Sequence, residues 1–362
     1  MTVDDLPSPS TLVLAPQLEH NLRVTQSACD AAGIELRPHI KTHKMVPIAR
    51  RQLELGARGL TCAKLGEAEA MLASGVREIF LAHSLVDLRQ AGRIAALVDQ
   101  LDDFRVAVTS EAHAEALIAL AARVGRPLRA MMAIDSGLDR EGVRDLASAQ
   151  RIAARLAASP HVDLAGFYTH EGQFYTVPNT DRPAGVAAML DQLCAIRDAI
   201  DPTLPLWPGS STTARAIAAT AGSRVQAVRP GAYVFGDLSQ STSTDVMPFA
   251  DVALHVLVTV VDQPTADLAL IDAGSKTFSS DRTAAGVFAL AADGRDLAVV
   301  RVNEEHGYVR GADVAQLQIG ERIRFVPAHV CTVVNLTDAV AVIDADDQVT
   351  TTWTVDARGR TQ

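Results

Sequence analysis

The sequence predicts an α/β protein in which a (β/α)8 barrel is followed by a C-terminal β domain. Three observations carry that expectation. Eight short β-rich runs alternate with Ala- and Leu-rich stretches whose apolar residues recur at helical spacing. Past Asp251 the texture changes to β-branched runs divided by turn signals, and helical periodicity almost disappears. No G-x-G-x-x-G follows the first strand, so the alternative of an open, doubly wound, dinucleotide-binding sheet has no support. With 362 residues, the chain also exceeds the size at which single cores stop growing.

In chain order, TLVL (Thr11 to Leu14) and a helix ending near Gly33 lead into strands predicted at 36–41, 59–63, 78–83, 105–110, 128–135, 164–170, 206–209 and 227–235. Helices are expected between them, for example over 67–73, 85–101 and 184–200. The barrel is assigned residues 12–240. The polar run Leu238 to Asp245, LSQSTSTD, reads as a linker. Residues 246–362, joined by 1–11, form the β domain, with strands at 252–262, 267–273, 297–303, 322–326 and 339–344.

Bulk properties exclude several function classes. A net charge of −10 argues against nucleic acid, because the mean field repels a polyanion. No apolar run approaches the roughly 20 residues that span a bilayer, and the acidic start MTVDDLPSPS has no secretory pattern, so no membrane role and a cytoplasmic location are expected. Cys29, Cys62, Cys194 and Cys331 are far apart and form no C-x-x-C, which argues against a disulfide framework or a zinc ribbon.

The candidate chemistry lies at strand ends, the face on which barrel active sites are built. The run LRPHIKTHK (Leu36 to Lys44) puts Lys41 at the end of the first strand, where it reads as the most buried cation of the run. Desolvation and the neighbouring His39, His43 and Lys44 would lower its pKa and suit it to imine chemistry; a solvated loop of cations is the plainer reading. The seventh strand ends in Gly209, Ser210, Ser211 and Thr212 before a helix, an arrangement that offers N–H groups to a phosphate or merely caps the helix. The eighth supplies Gly231 and Tyr233 in RPGAY. Arg140 follows the fifth strand, where it can contact an anionic ring substituent or solvent. His170 ends the sixth, placed to pack on a flat ring or to serve as an ordinary buried histidine. Together, a lysine, a phosphate loop, an arginine and a ring partner imply one ligand, a planar phosphorylated aldehyde.

RPHIKTHK, GSSTT, RPGAY, DAGSK (Asp272 to Lys276), EEHG (Glu304 to Gly307) and AHVCTVVN (Ala328 to Asn335) occur in an order that resembles the D-threonine aldolase and D-serine dehydratase family over nearly the whole chain. That family comprises pyridoxal 5'-phosphate enzymes of the alanine racemase-like, fold type III architecture. The resemblance implies Lys41 as the cofactor-bound lysine and Arg140 beside the cofactor's phenolic oxygen. It also implies Gly209 to Thr212, Gly231 and Tyr233 on the phosphate, and His170 where threonine aldolases tend to have tyrosine.

His329 and Cys331 flank Val330, and on a strand residues i and i+2 share a face, so imidazole and thiolate can hold one divalent metal. The nitrogen and sulfur donors suit zinc first, with manganese second. The resemblance puts the family's metal at these two positions, and cysteine rather than aspartate there follows the dehydratases. The function expected is therefore a lyase acting on small 3-hydroxy D-amino acids, leaning to D-serine-type dehydration to a 2-oxo acid and ammonia. Lys41 serves as α-proton base and His306 as a helper. D-threonine aldolase-type cleavage to glycine and an aldehyde is the alternative. A racemase would need a second base, for which the tail offers only Tyr308, and a non-catalytic cofactor carrier would not need His329 and Cys331. The resemblance also implies a homodimer.

Overall fold

The computed structural model describes the whole chain, Met1–Gln362. It divides into two compact units. An α/β unit takes Thr25–Lys41, Val46–Gly231 and Arg360–Gln362, and a β unit takes Met1–Val24, Thr42–Met45 and Ala232–Gly359.

The first strand, β1 (Ser10–Leu14), belongs to the β unit. The α/β unit holds β2 (Glu35–Leu36), β3 (Leu60–Cys62), β4 (Glu78–Leu81), β5 (Asp103–Val108), β6 (Leu128–Ala133), β7 (Val162–Tyr168), β8 (Leu206–Trp207) and β9 (Ala227–Val228). Strands β3 to β8 form one parallel sheet in sequence order, and β2 pairs with β9 in a second. All eight β-rich runs contribute a strand, but the continuous (β/α)8 barrel expected from their alternation is observed as a six-stranded and a two-stranded parallel sheet. The physical reason is length: β2, β8 and β9 have two residues each, enough for a ladder on one side but not on both. Between β2 and β3 only the His39–Thr61 bridge forms.

Local chemistry sets the intervening helices. Between β5 and β6, Ser110 caps the helix Glu111–Val124 by accepting the His113 N–H, and Gly125, at φ +78°, ends it. Parallel strands flanked by helices are covered on both faces, which explains the buried apolar stretches that end β5 (Val106–Val108) and β6 (Ala130–Ala133). Phe80, Met131, Tyr168 and Trp207 meet in the core. Arg37 and Arg105 hold their guanidinium carbons 4.3 and 4.4 Å from the centre of the Trp207 ring.

The β unit adds β10 (Leu254–Thr265), β11 (Leu268–Ile271), β12 (Ala289–Ala291), β13 (Ala298–Val302), β14 (Gly307–Arg310), β15 (Arg322–Pro327), β16 (Ala339–Ile343) and β17 (Val349–Thr354). Their order in one nine-stranded sheet is β11-β14-β13-β12-β15-β10-β1-β16-β17. Each of the five tail strands expected from sequence has a counterpart. β12 and β14 escape pattern reading because they are short, and β17 because its run VTTTWT is polar and lies on the sheet's edge.

Two segments differ in character from expectation. The polar run taken for a linker is a half-buried helical turn, Ser239–Ser243, in which Gln240 and Ser241 are buried, as is Leu238 just before it. Its hydroxyls are met by backbone carbonyls: Ser241 donates to Asp237 O and Thr242 to Leu238 O, each at 2.8 Å. The segment carrying His329 and Cys331 is not a strand either, because β15 stops at Pro327 and Val330–Leu336 is helical. No helix is long and apolar enough to cross a membrane.

Leu12 lies on β1 with no exposed surface, paired across to His255 on β10 and Ala341 on β16. Leu12→Ala is expected to cost about 2–5 kcal/mol of stability through lost burial and a residual cavity. Urea unfolding measures it, and a loss below about 1 kcal/mol would show that the sheet centre relaxes around the gap.

Candidate active site

The strand expected at 36–41 ends at Leu36, so Lys41 sits in a turn just after the His39 bridge, half-buried, its N–H 3.4 Å from His39 Nδ1. It is not the most buried cation of its run. Lys44 is 6 % exposed and turns away at φ +54°, its Nζ reaching Ala357 O at 3.5 Å. His43, fully buried, accepts the Met45 N–H at Nδ1.

Beyond β6, the loop carrying Arg140 is organised by Asp135. Its buried Oδ1 accepts the N–H groups of Gly137, Leu138 and Asp139 at 3.1–3.2 Å, and Arg144 pairs with Oδ2 at 3.1 Å. Arg140 itself is exposed and 3.5 Å from Glu141. Beyond β7, His170 is half-buried, its ring tilted towards Tyr175 at 6.5 Å between centroids. Arg140, Glu141, Tyr168, Thr169 and His170 line one narrow cleft, and there the Tyr168 hydroxyl is buried without a hydrogen-bond partner. Burial first, then the charges of Lys41, Arg140 and Arg229, hold the His170 imidazole down to about 3. Arg140 and His170, chosen from two strand ends, thus line one cleft, and the charge of Lys41 acts on the same imidazole.

The loop after β8 is held by a residue the sequence reading passed over. Glu171, with no exposed surface, accepts the Ser210 N–H at 2.8 Å and the Thr213 hydroxyl at Oε1, and the Gly209 N–H at 3.2 Å at Oε2. The amides of Gly209 and Ser210, expected to face a phosphate, are therefore committed to a carboxylate. Gly209 has to be glycine, because at φ +139° a Cβ would stand 2.4 Å from the Arg229 backbone nitrogen. Ser211 Oγ accepts the Gly231 N–H at 3.1 Å. Thr212 is 3 % exposed, and its hydroxyl is buried without a partner. That orphaned donor, beside a glycine cradle, fits an absent anionic group. Arg229, buried, donates to Trp207 O at 3.0 Å and to Thr169 O. Tyr233, also buried, lies in the turn Ala232–Val234 of the β unit.

In the β unit, His329 has an extended backbone (φ −145°, ψ 122°) at the entry to the helix Val330–Leu336, and Cys331 lies in its first turn. The pair shares a neighbourhood because the chain changes from extended to helical between the two residues, rather than by strand alternation. Asp237, fully buried, accepts His329 Nδ1–H at 2.9 Å and the Val330 N–H at 3.1 Å. In the neutral ring that bond fixes the tautomer and leaves Nε2 as the donor atom, the usual arrangement of a metal-binding histidine. The Cys331 thiolate first, and the Asp237 carboxylate after it, push the His329 imidazole up to about 11. Thr42, the residue after Lys41, has its hydroxyl 3.2 Å from Cys331 Sγ. No group of three or more His, Cys, Asp or Glu side chains able to hold a metal forms. An ion here would have two protein donors and open positions. His306 is exposed in the turn between β13 and β14, where only its carbonyl is engaged, by the Asn303 N–H.

Comparison with known proteins agrees with both halves of the chain. An alanine racemase N-terminal domain matches residues 15–239, and a serine dehydratase domain matches 253–343. D-threonine aldolase of Arthrobacter sp. is 31 % identical over 98 % of this chain and 93 % of its own. D-threo-3-hydroxyaspartate dehydratase of Delftia sp. is 31 % identical over 97 % of each, and its solved structure aligns at a TM-score of 0.87 over 98 % of both chains. The same enzyme has been solved as a cysteine-to-alanine variant in metal-free form. D-threonine aldolase from Filomicrobium marinum aligns at 0.90 with 25 % identity over 100 % of this chain and 98 % of its own.

The His170 environment has a pH consequence. With about 3 in the folded chain against about 6.5 when unfolded, protonation favours the unfolded state between those values. Stability is expected to fall as pH drops from about 6.5 towards about 3, and His170→Gln should flatten that limb. Urea midpoints across this range measure the difference, and parallel profiles for the two proteins would refute it.

Proposed function

Because this chain belongs to the family that joins an alanine racemase N-terminal domain to a serine dehydratase domain, we propose that it dehydrates a 3-hydroxy D-amino acid to a 2-oxo acid and ammonia with pyridoxal 5'-phosphate and a divalent metal. It is an enzyme, a pyridoxal phosphate-dependent lyase of the D-threonine aldolase and D-serine dehydratase type, with the alanine racemase-like fold. The observation that carries the dehydratase reading is the His329–Cys331 pair, with Asp237 fixing the imidazole. We also take the two parallel sheets as one eight-stranded barrel; the Ile40 N–H to Thr61 O and Gln226 N–H to Leu206 O bonds, at 2.9 and 3.2 Å, support that closure.

When bound, the pyridoxal ring supplies a sink for the electron pair left at Cα, and the metal, zinc first, supplies Lewis-acid polarisation of the substrate hydroxyl. The chain's own residues do the rest. Lys41 holds the cofactor and then, as a free amine, takes the Cα proton. Arg140 meets the phenolic oxygen. His170, kept neutral by burial and surrounding cations, packs on the ring without adding charge. The Thr212 hydroxyl and the Gly231 and Tyr233 segment serve the phosphate. His329 Nε2 and Cys331 Sγ would hold the metal while Asp237 keeps Nδ1 protonated, and His306 serves as a helper at the turn. Loss of the Cα proton and the Cβ hydroxyl releases one water, and hydrolysis consumes one, so the substrate leaves as 2-oxo acid and ammonia. We read the working form as a cytoplasmic homodimer.

Retro-aldol cleavage to glycine and an aldehyde is the second reading, favoured by the 31 % identity to D-threonine aldolase. Incubation of the cofactor- and zinc- or manganese-loaded enzyme with D-serine, D-threonine and 3-hydroxy-D-aspartate separates the two. A 2-oxo acid with ammonia is expected; glycine with an aldehyde would overturn the dehydratase reading. Asp237→Asn, which can present an amide N–H to Nδ1 and so favour the wrong tautomer, is expected to weaken metal retention about 10–100-fold. Competition with a chromogenic chelator reports it, and unchanged retention would remove Asp237 from the metal site.

A further inference from the structure

We propose that Glu171 is the positioning residue of the cofactor-phosphate loop, a role that rests on the pyridoxal phosphate reading above. Three donors of one short segment, the Gly209 and Ser210 N–H groups and the Thr213 hydroxyl, converge on its fully buried carboxylate. A carboxylate removed from water remains an anion only where donors meet it. The bonds are therefore mutual: the loop satisfies the charge, and the charge fixes the loop.

With those donors committed, the segment leaves Ser211 and Thr212 for other work. Ser211 Oγ accepts the Gly231 N–H, which ties the loop to the strand-end segment after β9. Thr212 Oγ1 is buried and without a partner, between residues that Glu171 holds on both sides. A phosphate on the same segment would repel a bare carboxylate. Glu171 is compatible with it because its charge is already met by three donors and opposed by the nearby Arg229 cation. A loop held this way is shaped before the cofactor arrives, so binding need not order it. The Gly209 backbone, pressed against Arg229, leaves no room for a side chain at this position.

The test titrates apoenzyme with pyridoxal phosphate and with pyridoxal, which lacks the phosphate, following cofactor absorbance. The wild-type chain is expected to prefer the phosphorylated form. Glu171→Gln retains the shape but directs an amide donor at one of the loop N–H groups. It should weaken pyridoxal phosphate binding at least about tenfold, the scale of a charge-assisted hydrogen bond, while pyridoxal affinity hardly changes. Thr213→Val, which removes one bond of the three, should give a smaller loss of the same kind, and it carries the test if thermal unfolding shows that Glu171→Gln does not fold. Equal losses for both cofactors, or none, in a folded variant overturn the proposal and leave the cofactor reading standing. A wild-type chain that binds both forms equally overturns that reading and the proposal with it.

Discussion

The Asp237 carboxylate has no exposed surface and accepts from His329 Nδ1, the Val330 N–H and the Gln240 N–H. Much of the β unit's chemistry follows from that one constraint. A charge that cannot reach water must be surrounded by donors, and here the donors are a helix entry, a half-buried polar turn and an imidazole. Satisfying the charge positions all three. The helix Val330–Leu336 starts where Asp237 can receive its first N–H, which places Cys331 in the first turn and His329 just before it. Glu171 meets the same constraint in the α/β unit, with loop amides in place of the helix entry.

The two site histidines show how strongly neighbours override residue type. His170, held down first by burial and then by the charges of Lys41, Arg140 and Arg229, is kept near 3; His329 is raised to about 11 by a thiolate and a carboxylate. One imidazole is built to stay neutral against a ring and the other to sit among anions that favour a positive charge, whether a proton or a metal ion. The contrast supports assigning the first to cofactor packing and the second to cation binding.

What the sequence displayed, and what it hid, divides along contact distance. Lys41, the GSSTT run and the His-x-Cys pair were legible because local pattern places unusual residue types at strand ends or two residues apart. Asp237 and Glu171 were not, because their partners lie 92 and about 40 positions away and nothing in their immediate neighbours marks them as buried. The run after Asp237 misled for a related reason: serines and threonines suit a solvated linker as well as a half-buried turn, and only tertiary packing decides. Alternation revealed the parallel strands but not how short β2, β8 and β9 are. The tail's β character was plain, yet short strands such as β12 and β14 take their structure from neighbours rather than from propensity.

Strand β1 lies between β10 and β16, with Leu12 opposite both His255 and Ala341. The strand is therefore made long before either of its two partners. Until then TLVL is an apolar segment with unmet amides, exposed to pairing with other nascent chains. Pairings of such long sequence separation slow folding. The α/β segment can collapse during synthesis, whereas β1 cannot be enclosed on both sides until β16 has been made.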